Sequence, residues 1–465
     1  MFFNKHKETD QERALSRRNL LKWGLFTGAA LGLPTWKVYE ALGFGGRAFA
    51  DDPACAPTNR SVHVIAGTGG FSYFQLLWPH VQIAERFQDD FAFHAPSEAR
   101  RVEGTHKPLV VAPETPFQSY SGARNVTCLL GGSNETHTRA PRSNGRLSMQ
   151  NDLFAACAAI QSASPTLVPS IAIGDATYGT ATGAPRVARV GSADDVVALF
   201  NAAASRTGAA LSNRQDAELF TSTYSAFLAL RSAAGTPTHR SPFLAGASAA
   251  RLLGQNLADR LRPTAADLER YGIDAGARDV NEEIAKSLIV TAKAFTMGLT
   301  SMVVIPAFND DPHGAFTDMR ALTGTISRLG RSLDAFMEDL ALVDDPNCAG
   351  STIADNTVLS IHGDTPKNPL NRANWPDNTP GNSNWAYVLG GGLLKTGWFG
   401  GVQADGDVMG WNPIDGSDAA DMTSEDCAGP AAAAIAYCVA KGDMRRVNDF
   451  YRGTDIRGIV ASETV

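Results

Sequence analysis

Residues 302–361 constrain the fold more tightly than any other part of the chain. They open with MVVIPAFNDDPHG, in which Val303, Val304 and Ile305 are β-branched and no polar residue interrupts them. This is the pattern of a strand buried on both faces of a parallel sheet, although a buried helix end gives the same short run. Next, Met319, Leu322, Ile326, Leu329, Leu333, Phe336, Leu340 and Val343 recur at alternating intervals of three and four residues. That spacing predicts a long helix with one apolar, core-facing stripe. Residues 357–361, TVLSI, return to strand character. A strand, helix, strand unit makes a right-handed crossover between parallel strands, so both strand tips leave on one edge of the sheet. Ligands bind outside that edge in open α/β folds. The tips carry Asp310, Asp311 and His313 after the first strand, and His362 and Asp364 after the second.

Composition adds the outer bounds. The chain has 465 residues, 44% hydrophobic and 19% charged, with a formal net charge of -7. That is an ordinary globular balance, and its scattered basic residues offer no footprint for nucleic acid. Residues 1–50 read as a twin-arginine signal peptide. Ser16-Arg17-Arg18-Asn19-Leu20-Leu21-Lys22 precedes an apolar run over 23–36 and the small-x-small site Ala48-Phe49-Ala50. The run is shorter than the ~20 residues that span a bilayer, and no later segment supplies a span to the mature chain. An N-terminal amphipathic helix or a membrane anchor is the competing reading. The expected partner is the twin-arginine export machinery, and the expected location is the periplasm or the secreted fraction. Residues 51–60 read as a tether and 61–465 as a single α/β domain. Six cysteines follow the signal, none with CxxC spacing, and Cys427 with Cys438 is the expected local pair.

In chain order, residues 61–66 (SVHVIA) form a first strand running into a glycine-rich turn over 67–72, and residues 125–130 form a second, ending in GGSNETHT. Residues 149–163 read as an alanine-rich helix, 167–174 as a strand, 190–300 as a mainly helical region and 365–385 as a long Asn- and Pro-rich loop. Residues 386–389 and 398–402 flank Gly390-Gly391-Gly392 in a hairpin-like passage, and 431–439 read as a helix.

Carboxylates and imidazoles at the two tips are groups that hold divalent metals or act as acid and base. The plainer reading is that Asp310 caps the helix starting near Ala315 while His313 bonds locally. A GxSxG nucleophile elbow and the phosphate-loop and dinucleotide fingerprints are missing from the sequence.

Residues 356–363, NTVLSIHG, resemble the N-T-L-V-x-x-S-D-H-G strand of sulfatases and the wider alkaline phosphatase superfamily. The layout is similar to exported twin-arginine bacterial proteins of unknown function related to that superfamily. Their glycine turn, D-T-H-G tip, E-F-G-R-T-P tip and D-H-W with a G-G-G passage have counterparts here. These are Gly69-Gly70-Phe71-Ser72, Asp311-Pro312-His313-Gly314, His362-Gly363-Asp364-Thr365-Pro366 and Ser383-Asn384-Trp385 with Gly390-Gly391-Gly392. The resemblance implies an alkaline-phosphatase-like three-layer sandwich, a mainly parallel central sheet with helices on both faces. It implies that Asp311 and His313 correspond to ligands of one metal and His362 to a ligand of a second; the expected remnant is one divalent metal (zinc, manganese or calcium) at Asp311, His313 and His362, with Asp310, Asp364 or Asn384 completing the shell. It places nucleophile candidates at Ser133, Thr136 and Thr138, and binding positions at Ser72, His137, Asn384 and Trp385. Four residues at three places depart from the pattern: Ser72 stands for an aspartate, Ile361 for an aspartate, and Ser383-Asn384 for an Asp-His pair. The sulfatase C-x-P-x-R or S-x-P-x-R signature is missing as well. The implied function is a hydrolase of phosphate or sulfate esters with reduced or lost activity. The alternative is a non-catalytic periplasmic protein that uses the same cleft to bind a small anionic ligand, a glycan or a partner.

Overall fold

Arg60–Ile65 (β1) is buried at every position and lies inside an eight-stranded sheet. The computed structural model describes residues 55–65, 100–102, 106–107, 109–111, 116, 126–133, 145–164, 166–208, 256–273, 281–307, 319–363, 383–402 and 408–461. The other strands of the sheet are Val126–Ser133 (β2), Ser170–Ile173 (β3), Ala188–Val190 (β4), Met302–Pro306 (β5), Thr357–His362 (β6), Ser383–Leu389 (β7) and Gly397–Phe399 (β8). Across the sheet their order is β8-β2-β7-β6-β1-β5-β3-β4. Only β7 runs against its neighbours; every other pairing is parallel.

The helices among the described residues are Leu153–Gln161 (α1), Ala193–Gly208 (α2), Leu257–Leu261 (α3), Ala265–Arg270 (α4), Glu282–Thr296 (α5), Met319–Ala341 (α6), Ser424–Val439 (α7) and Met444–Val447 (α8). Two of them start on reciprocal capping boxes, Thr264 with Asp267 and Thr423 with Asp426, which satisfy amide donors that an open first turn leaves unpaired. On α6, Ile326, Leu329, Leu333, Phe336 and Leu340 are all buried, as the apolar stripe requires. The alanines of α7 let its backbone lie close to β2, where a side chain added at Gly131 would meet Ala431 at 2.9 Å. Both faces of the sheet are covered. Phe154 of α1 packs on the rings of His63 and His362. Tyr387 is the register partner of Ile361, so it points to the opposite face from His362, and there it feels the charge of Asp334 on α6. The result is the expected α/β sandwich with a mainly parallel central sheet.

Several expectations change in detail. The strands β5 and β6 are parallel with α6 between them in sequence, but β1 is inserted between them in the sheet. The helix expected over 149–163 begins at Leu153, because Arg146–Ser148 and Asn151–Asp152 pair as a short ladder first. The passage around Gly390 is not a hairpin: β7 and β8 lie on either side of β2, so neither pairs with the other. Ser383, Asn384 and Trp385 belong to β7 rather than to the preceding loop. In the helical region 190–300, α2 to α5 account for the described part. Cys427 and Cys438 are both free. They sit on one helix, eleven residues apart, a separation of about 16 Å that no disulfide spans. The bridge joins Cys55 to Cys348 instead, 293 residues away. Residues 1–54, with the expected signal peptide, lie outside the described residues. Among the described residues no helix is long and apolar enough to cross a membrane.

Candidate functional site

Three adjacent parallel strands end at one level. Ile65 of β1 is the register partner of Pro306 on β5 and of His362 on β6. Because β7 is antiparallel to both β6 and β2, β2 points the same way and ends at this edge with Ser133, where β7 begins at Ser383. The strands that lead to every sequence-predicted tip therefore finish on the same side of the sheet. Of the candidates themselves, Ser72, Thr136, His137, Thr138, Asp310, Asp311, His313 and Asp364 lie outside the described residues. Ser133, His362, Asn384 and Trp385 lie within them.

His362 is buried at 3% exposure. Its Nε2 lies 2.7 Å from Ser360 Oγ, and its ring meets the Phe154 ring edge-on at 5.2 Å. Burial away from water drives its pKa down to about 3, so the ring is neutral at ordinary pH. Ser360 Oγ is also 2.7 Å from His63 Nδ1, and His63 Nε2 is 3.1 Å from Ser61 Oγ. Burial, and then the neighbouring His362, hold the pKa of His63 well below its usual value. At the far end Gln161 Nε2 donates to the carbonyl oxygens of Asn59 and Ser301, and lies 3.1 Å from Ser61 Oγ. A continuous buried polar chain, Gln161, Ser61, His63, Ser360, His362, thus runs along β1 and β6 from one end of the sheet to the other.

That chain was missed from the sequence, although a signal was present. In SVHVI and LSIH a serine stands two residues before a histidine. In a strand buried on both faces, polar residues at period two mark one polar row inside an apolar layer. The parallel register brings the two rows together, with His63 opposite Ser360.

Ser133 ends β2, and Trp385 and Asn384 lie at the start of β7. Trp385 is 2% exposed and packs edge-on against Trp398 at 5.1 Å. Asn384 is buried, and its Oδ1 accepts from the Trp385 backbone N–H at 2.8 Å. The free thiols Cys128, Cys157, Cys427 and Cys438 are buried, and burial raises the pKa of each, which keeps them unreactive.

Of the metal set implied by the resemblance, His362 and the shell candidate Asn384 lie among the described residues. His362 Nε2 lies within hydrogen-bond distance of Ser360 Oγ. Among the described residues no three His, Cys, Asp or Glu side chains gather to hold an ion. Fold and site together define an open α/β sandwich with a strand-end face. Compared with known proteins, the chain matches no family model, no curated protein and no solved structure.

Proposed function

We propose that this protein is an exported relative of the sulfatase and alkaline phosphatase type. In this reading its strand-end face binds phosphate or sulfate esters and hydrolyses them slowly or not at all. The observation that supports it most is the shared level of Ile65, Pro306 and His362 on three neighbouring parallel strands. Residues 307–314 and 363–366 follow directly from two of those ends, and they carry the tip motifs of the resemblance. The three departures at Ser72, Ile361 and Asn384 favour reduced or lost turnover, since displacement at phosphorus or sulfur needs charge stabilisation on both attacking and leaving sides. The Cys55–Cys348 disulfide suits an oxidising compartment and so supports export.

The test uses the mature protein purified after export. Phenyl phosphate or phenyl sulfate should bind by calorimetry, with turnover slow or undetectable. Asp311→Ala and His313→Ala should each weaken that binding by more than about tenfold, or about 1.4 kcal/mol. Wild-type protein that neither binds nor hydrolyses either ester overturns the reading. Sequencing of the exported chain should begin at Asp51, and replacing Arg17 and Arg18 together with Lys should retain the protein in the cytoplasm.

A further inference from the structure

The buried chain between Gln161 and His362 has a direction. The Gln161 amide nitrogen lies 2.8 Å from the carbonyl oxygen of Asn59 and 3.0 Å from that of Ser301. Both oxygens only accept, so this end of the side chain must be the NH2 group. An amide nitrogen accepts no hydrogen bond, so the Ser61 hydroxyl cannot donate to it. Ser61 is fully buried, and its hydroxyl hydrogen needs an acceptor. Among the described residues the one acceptor in reach of that hydroxyl is His63 Nε2, at 3.1 Å.

The remaining hydrogens then follow by elimination. A His63 ring that accepts at Nε2 carries its hydrogen on Nδ1, which donates to Ser360 Oγ at 2.7 Å. Ser360 is fully buried too. Having accepted from His63, it has one hydroxyl hydrogen left to give, and the described acceptor is His362 Nε2 at 2.7 Å. The His362 ring must then bear its own hydrogen on Nδ1.

We propose that Gln161, Ser61, His63 and Ser360 are positioning residues that lock His362 as its Nδ1–H tautomer. In this form His362 offers an N–H at Nδ1 and no lone pair to a metal ion. The partner fitted to it is an acceptor oxygen, and on the reading proposed above this is a phosphate or sulfate ester oxygen; the placement of the hydrogen itself does not depend on that reading. Locked in this form, the ring has no lone pair for a cation: Nε2 is filled from Ser360, and Nδ1 carries a hydrogen. Any metal at this edge must be held without His362.

Nitrogen-15 NMR of histidine-labelled mature protein tests this directly. In wild type, His362 should show a pyridine-type signal at Nε2 and a pyrrole-type signal at Nδ1. Adding one equivalent of zinc should leave both unchanged. Ser61→Ala removes the donor that sets the direction while leaving the two carbonyl bonds of Gln161, so the two His362 signals should move toward each other; Ser61→Thr, which keeps the hydroxyl, should restore the wild-type pattern. A pyridine-type Nδ1 in wild type, a zinc-induced shift of the His362 nitrogens, or a Ser61→Ala spectrum identical to wild type overturns the proposal. The wild-type spectrum decides even if the variant fails to fold. Loss of ester binding with the tautomer intact would sink the proposed function alone, and a reversed tautomer with ester binding intact would sink this inference alone.

Discussion

At the amino end of β1 the polar groups are closed off inside the fold, whereas at its carboxyl end the strands hand over to long connections. Arg60 holds Asp345 through two hydrogen bonds of 2.8 and 3.1 Å. Asn59 Nδ2 donates to the Cys438 carbonyl, the Ala56 backbone N–H donates to the Asn347 carbonyl, and Cys55 is bonded to Cys348. The start of the domain is thereby fastened to the segment that precedes β6. At the opposite end Ile65, Pro306 and His362 stop level with one another, and His362 is reached from below by the Gln161 chain. The amino end is tied down for stability, and the carboxyl end is where the candidate tips begin. The polar chain is the part that belongs to both.

Acid should expose the largest effect and would break the comparison if it did not. The folded pKa of His362 is depressed to about 3, against about 6.5 in an unfolded chain. A depressed folded pKa means that the stability is complete above the unfolded value and is lost as the pH falls toward the folded one. Between pH 6.5 and 3 the unfolded chain takes up a proton that the native ring refuses, a loss on the order of 5 kcal/mol for His362 alone. His63, depressed for the same reason, acts in the same direction. Denaturant titrations across this range should show the decline. Stability that stays flat from pH 6.5 to 4 would mean that the rings are not neutral and buried.

The amino end is sharpened by a smaller change. Asp345→Ala leaves the Arg60 guanidinium buried without its partner, and loss of one member of a buried pair costs about 3–5 kcal/mol. The drop should appear in the denaturation midpoint with an unchanged slope. Replacing both Cys55 and Cys348 with Ser should cost a comparable amount, about 5 kcal/mol, because the bridge closes a 293-residue separation in the unfolded chain. The melting temperature of wild type should fall on reduction to that of the double variant, and a reductant-insensitive wild type would show that the bridge does not close the domain.

Local patterns were legible where a single element settles them. The stripe from Ile326 to Leu340 predicted α6, and the β-branched runs around Val303 and Val358 predicted β5 and β6. The convergence of strand tips on one edge also follows from the sequence, because a crossover unit allows little else. Legibility ended where a partner comes from far along the chain. The passage around Gly390 looked like a hairpin from its neighbours alone, yet β2, more than 250 residues earlier, lies between its two arms. Trp385 looked like a loop residue beside an Asn- and Pro-rich stretch, but its ring is covered by Trp398. Cys427 and Cys438 are close in sequence, but a helix holds them apart.

By itself, then, the sequence determined the kinds of element, their order and the side of the sheet on which the candidate tips emerge, since each of these follows from periodicity and chain connectivity. Tertiary structure alone decided which strands are neighbours, which cysteines bond and how His362 carries its hydrogen. The last depends on atoms from residues 61, 63, 161 and 360 meeting in a dry layer where every hydroxyl must be satisfied. No local pattern encodes that meeting, because the direction of a hydrogen bond belongs to the assembled network rather than to any one residue in it.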